Sequence, residues 1–384
     1  MSDFSDVELQ RLRACGVVIF ADRVIFDAQP PISSARLAEV AAQCAGPLPA
    51  ELLELWALTA GGSLDYNLTL EMAGNQEAIS WTELFYHDSD GYHDLPGWME
   101  HEQELAPGPL RYLPIGGFEY CDRIYVRVEP DSPDSGEVVA WKMGLPPGWQ
   151  HALHRDAIAT VASGLQAAFG RLWVGEESGD LQGFLEESEL EPELTEKVME
   201  FYGRARPDWR GAIHRKQLAG DSHLLRLALH HALEHRDLEV LRQVAEAGAD
   251  WTRPVRGSAL PTEVAMQFGS LEILEALLDL GAPVSEAMFR LVGGELPEVL
   301  ARRLLQAGAR ADADGLVRCW VVGARDAAKV LAERVTDYEP TRQKMLARLN
   351  EDLAKVRAKR LGHYLGEKGL QEQIDRLRVD LASP

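Results

Sequence analysis

The chain has 384 residues, 46% of them hydrophobic and 26% charged, and a formal charge of −22. That length exceeds one ordinary core and implies about two or three domains, while the apolar fraction excludes wholesale disorder. No stretch approaches the roughly 18 apolar residues of a membrane-crossing helix. Asp3 and Asp6 stand where a secretory leader would carry bases, which points to the cytoplasm. Cys15, Cys44, Cys121 and Cys319 are scattered, form no Cys-x-x-Cys and are expected to be reduced and structural.

Residues 1–30 read as an N-terminal extension, with two short strands around Ala21-Asp-Arg23 closed by Gln29-Pro-Pro31. Ser33-Ser34 is placed to cap a helix through Ala45, with Leu37, Val40 and Ala41 at helical spacing. Pro49 then opens a helix that Gly61-Gly62 ends, with Leu52, Leu55, Trp56 and Leu58 as its buried stripe. Ser63–Leu70 alternates as a strand, and Phe85–Asp94 reads as a polar loop. Pro114–Gly117 is unsuited to a regular ladder, so a turn is expected there. Arg123–Val128 then alternates, placing Ile124, Val126 and Val128 inward and Arg123, Tyr125 and Arg127 outward. Pro130–Ser135 is a loop and Gly136–Met143 a further strand, and Cys121 is expected to be buried by the Arg123–Val128 strand beside it. Ile158, Val161, Leu165, Phe169 and Leu172 form a helical stripe over Ala157–Trp173. The pattern is α+β, an antiparallel sheet with flanking helices.

A Leu-Pro helix ending in Gly-Gly, a polar insert, then Leu113-Pro-Ile-Gly116 running into strands with Trp141 on the last of them resembles the SUKH superfamily. The resemblance spans about Ile32 to Trp173, and the SUKH-like domain is set at residues 31–175. It implies a bacterial toxin-immunity protein or a regulator of the fungal Smi/Knr kind. The toxins bound by that family are often nucleases.

Residues 176–206 are set as an acidic linker, of which Glu176–Glu191, carrying Gly179 and Gly183, reads as solvated chain or a short helix. Beyond them, Ala228–Leu241 ending in Ala247-Gly-Ala-Asp250 aligns with Leu260–Leu274 ending in Leu280-Gly-Ala-Pro283, and Gly248 and Gly281 lie 33 residues apart. That is the ankyrin period, and His230 and Pro261 occupy the His and Pro of the Thr-Pro-Leu-His signature. The third Gly-Ala, at Gly308, comes 27 residues later, which requires a shortened hairpin or first helix. Residues 207–336 are accordingly expected to form an all-α ankyrin-like solenoid, with Gly315–Val335 as a degenerate cap. Residues 337–384 form a helical tail with Met345, Leu349, Leu353, Val356 and Leu361 on one face.

Charge is unevenly spread. Between Arg36 and Arg111 there is no Lys or Arg but 13 acids; residues 1–172 carry −15, residues 173–203 carry −9 and the remainder +2. Such a field repels nucleic acid and attracts basic partners. The candidate contacts are Asp88, Asp90, Asp94, Glu100, Glu102 and Glu104, then Glu119 and Asp122, with Asp250, Trp251, Arg253 and Arg256 as a second surface on the repeats. Trp81, Trp98, Trp141 and Trp149 are core candidates, with one or two of them possible anchors beside the acids. The reading is a non-enzymatic protein without cofactor that holds a basic, nuclease-type toxin through an acidic surface, touching neither nucleic acid nor membrane. Its alternatives are a scaffold without a toxin, or a zinc peptidase built on His231-Ala-Leu-Glu-His235. His87–Asp94 clusters oxygens and imidazoles, but Met99 stands where a calcium loop starting at Asp88 needs glutamate, so an exposed partner-facing loop is expected.

Overall fold

The computed structural model describes residues 3–72, 75–89, 91–143, 158–176, 178–255, 258–358 and 365–379. The chain divides into two compact units, Met1–Pro207 and Asp208–Pro384: a sheet-rich front and a helical remainder.

In the first unit, α1 (Asp6–Ala14) starts with a reciprocal cap: Glu8 N–H donates to Ser5 Oγ at 3.4 Å and Ser5 N–H to Glu8 Oε2 at 2.7 Å. β1 (Val18–Phe20) and β2 (Arg23–Ile25) form a hairpin whose turn residues Ala21 and Asp22 have φ of 44° and 59°, the backbone that suits a two-residue turn. Ser33 caps α2 (Ser34–Gln43) by accepting from Arg36 N–H at 3.3 Å, and Pro49 stands at the N-cap of α3 (Ala50–Leu58).

The sheet that follows is a meander. β3 (Gly62–Met72), β4 (Asn75–Leu84), β5 (Tyr112–Phe118), β6 (Asp122–Arg127), β7 (Val138–Lys142) and β8 (Ile158–Ala162) pair antiparallel in chain order, with α4 (Leu95–Leu105) between β4 and β5. α5 (Leu165–Gly170) follows β8, and Trp173 then exchanges backbone hydrogen bonds with Asn67 of β3 at 2.8 and 2.9 Å. The main core joins Leu68, Ile79, Trp81, Ile124 and Val126 of the sheet to Val40, Leu52, Leu55 and Phe169 of α2, α3 and α5.

Four expectations need correction here. Pro114–Gly117 is not a turn but part of β5, because a register shift between Pro114 and Gly116 absorbs the irregularity. The two glycines are required by the close approach: a Cβ on Gly116 would meet Glu83 O at 2.2 Å, and one on Gly117 would meet Asp122 O at 2.0 Å. Ala157–Trp173 is not one helix, since the β-branched Ile158, Thr160 and Val161 extend as β8 before α5 begins. Arg123 and Tyr125 do not face solvent; they are buried beneath α4, while Arg127 is half-buried among Glu129, Asp134 and Glu137. Residues 176–206 are not a solvated linker: α6 (Asp180–Glu187) and α7 (Pro192–Gly203) place Leu181, Leu185, Leu194, Val198, Phe201 and Tyr202 in the core of the first unit. Their acids occupy the outer faces of two amphipathic helices, which explains how an acidic stretch can still pack.

The second unit comprises α8 (Trp209–His214), α9 (Ser222–His235), α10 (Leu238–Glu246), α11 (Pro261–Gln267), α12 (Leu271–Asp279), α13 (Glu298–Gln306), α14 (Ala313–Val322), α15 (Arg325–Ala332), α16 (Glu339–Arg357) and α17 (Gly366–Arg378). Gly248, Gly281 and Gly308 follow α10, α12 and α13 at φ of 84°, 76° and 113°, a conformation other residues adopt only under strain. Before α13 the chain makes only a 3₁₀ turn, Met288–Leu291. Leu233, Leu241, Val264, Ile273, Leu277, Leu304 and Leu331 share one core. Leu349 and Leu353 of α16 and Ile374 of α17 pack on Val317 and Val321 of α14, and Leu361 lies outside the described residues.

Candidate interaction surface

The first unit's second sheet face is organised by α4. Asp94 Oδ2 accepts from Gly97 N–H at 3.1 Å and Pro96 sits in the first turn, so the start is capped and φ is preset. Leu95, Trp98, Met99 and Glu102 fall on the buried side, leaving Glu100 and Glu104 exposed on the other. Trp98 stacks on Phe85 with ring centroids 5.6 Å apart, and the Arg123 guanidinium lies 3.1 Å from the Trp98 centroid. Tyr125 Oη donates to Glu102 Oε1 at 2.6 Å.

Two tyrosines cap this arrangement. Trp98 Nε1 donates to Tyr92 O at 2.8 Å, and the Tyr120 ring meets Trp98 at 5.6 Å and Tyr92 edge-to-face at 4.9 Å. Tyr92 remains 37% exposed and Tyr120 54% exposed: apolar bodies held from below with their outer edges in water.

The electrostatics follow from burial. Loss of water pushes the Glu102 carboxyl up, only partly offset by the Tyr125 hydroxyl and the charge of Arg123. Glu83 is pushed up for the same reason, with the Glu119 N–H pulling it back. Burial also pulls the Arg123 guanidinium down, against the charges of Glu102 and Glu83. Desolvation, then Glu119, Tyr120 and Glu83, push the Tyr92 phenol up.

The candidate contact residues do not form one patch. Glu100 and Glu104 are exposed on α4. Asp88 is exposed but paired with Arg36 at 2.8 Å, and Asp94 is committed to its cap. Asp90 lies outside the described residues. Glu119 is half-buried in the β5–β6 turn at φ 44°. Glu102 and Asp122 are corrections: both are buried, Glu102 on the inner side of α4 and Asp122 between strands, where its Oδ2 accepts from Ser80 N–H at 2.8 Å. Neither is exposed on the surface. Cys121 is only half-buried, because it lies in the β5–β6 turn rather than in a strand.

Trp81, Trp98 and Trp141 are all buried, and Trp149 lies outside the described residues. The exposed aromatic rings beside Trp98 are instead Tyr92 and Tyr120. The signal for α4 was present: Asp94-Leu-Pro96 is a helix start, and Leu95, Trp98, Met99 and Glu102 are one stripe. A glutamate on that stripe implies a buried partner.

In the second unit Asp250 is exposed, accepts from Thr252 N–H at 3.0 Å and pairs with Arg253 at 3.6 Å. Trp251 is half-buried against the core, and Arg256 lies outside the described residues. Among the described residues no helix is long and apolar enough to cross a membrane. The chain matches no family model, no curated protein and no solved structure.

Proposed function

We propose that this is a non-catalytic binding protein of the toxin-immunity kind, acting in the cytoplasm and masking a basic, nuclease-type toxin with its first unit. The observation that carries the reading is the exposed Tyr92–Tyr120 pair, braced by Trp98, which rests on Arg123, with Tyr92 inside a stretch, residues 37–110, that has no Lys or Arg. Tyrosines held rigid from below lose little freedom on contact and are frequent interface anchors. The carboxylates of Glu83 and Glu119 near Tyr92 and of the exposed Glu100 and Glu104 on α4 speed encounter with a basic surface and exclude phosphate chains.

The helix–meander–helix order of the first unit supports a SUKH-like domain. The helix pairs of the second unit, closed by Gly248, Gly281 and Gly308, support an ankyrin-like stack with Asp250, Trp251 and Arg253 at a hairpin tip. Cells producing the chain should survive a toxin domain encoded beside it and die when Tyr92→Ala and Tyr120→Ala are combined. In vitro that double variant should weaken binding at least about 30-fold, the effect of losing about 2 kcal/mol at a hot spot. Unchanged survival and affinity would refute the surface. Co-purification of a polypeptide without toxic activity would assign the scaffold role instead.

A further inference from the structure

Helix α9 carries two side-chain pairs, each spanning one turn. On its outer side His230 Nδ1 and Glu234 Oε2 lie 3.4 Å apart. One residue further round, the His231 and His235 rings lie side by side with centroids 4.4 Å apart and planes tilted by 40°, and a ring nitrogen of each is within 4.8 Å of the other. His231 also rests on Trp209 of α8, centroids 4.8 Å apart, while His235 is exposed.

We propose that His231 and His235 form a bidentate chelate for a divalent late transition ion of the zinc class, the remaining coordination positions being open to water. Residues four apart on a helix project in one direction, so both imidazoles can be offered to one ion without moving the backbone. A tetrahedral ion holding each nitrogen at about 2.0–2.1 Å needs the two a little over 3 Å apart, and rotation of the exposed His235 ring closes that gap. The buried Trp209 fixes the inner ring, doing by packing what a hydrogen-bonded outer shell does at other metal centres. Imidazole pairs select zinc, nickel and copper over magnesium or calcium, which take oxygen donors.

The chelate binds; it does not hydrolyse. In His-x-x-Glu-His the glutamate must activate a metal-bound water, and here Glu234 turns to His230. The ion would instead staple the last turn of α9, just before Arg236 takes up left-handed geometry at φ 58°.

The test uses the untagged full chain, because an oligohistidine tag would itself take the ion. After equilibrium dialysis against Zn²⁺, metal analysis should find one ion more per wild-type chain than per His231→Ala or His235→Ala chain. His230→Ala and Glu234→Gln should retain that ion. Zn²⁺ should raise the thermal midpoint of the wild type but not of the two ligand variants, and Mg²⁺ should raise neither. Should an alanine variant fold poorly in chelator, His231→Asn or His235→Gln takes its place. Equal zinc in wild type and ligand variants would overturn the assignment. Peptide hydrolysis by the zinc-loaded chain, lost in Glu234→Gln, would overturn the non-catalytic reading.

Discussion

Glu102 sits 6% exposed with its carboxylate against Tyr125, and burial raises its proton affinity above that of the unfolded chain. A carboxyl raised in this way contributes most below its ordinary value of about 4.3, and that contribution is lost as pH rises through the higher folded value. Asp122 shifts in the same direction, also by burial first. Glu102→Gln copies the protonated form and still accepts from Tyr125, so at pH 7 its unfolding midpoint should exceed the wild type's, with the gap closing near pH 4. A midpoint lower than wild type at pH 7 would show that attraction to the Arg123 charge outweighs desolvation. Gly117→Ala makes a different residue-scale test. The added methyl would meet a backbone oxygen that cannot swing aside, at a φ of +154° that side chains rarely adopt, so this variant should fail to give a soluble first unit.

α4 ties stability to the interaction surface at the level of the element. Asp94 is a candidate contact residue from the sequence, yet its carboxylate caps the helix. Asp94→Ala should cost about 1 kcal/mol in denaturant unfolding, and charge reversal there would lower affinity by loosening α4 even if no partner touched it. Glu100→Lys with Glu104→Lys is the cleaner probe: it should slow association and flatten its salt dependence while leaving the unfolding midpoint nearly unchanged. The caps and stripes of α2 and α3 were legible in the sequence because they are local signals: Ser33 and Pro49 act within one turn. Burial of Arg123 and Tyr125 was not legible, since period-2 alternation cannot say whether a helix from elsewhere covers the second face. β5 was missed for a related reason, as Pro114 and the glycines carry turn chemistry until the neighbouring strands are in place.

Across the whole molecule the charge asymmetry was visible from composition, whereas the packing of residues 176–206 was not, because exposed acids outnumber the apolar stripe that anchors them. Tyr202 of α7 donates to Asp65 O at 2.9 Å and to Asp65 Oδ2 at 3.0 Å, across 137 positions of chain. Burial raises the Asp65 carboxyl, and that hydroxyl partly offsets it. A ribosome releases this polypeptide from the front, and each strand of the meander finds its neighbour already emerged, but nothing seals Asp65 until the acidic helices appear. Nascent chains halted at residue 190 should therefore be cut rapidly by a protease that spares chains halted at 207 with the same tether. Maturation of the front half would then be timed by its last thirty or so residues.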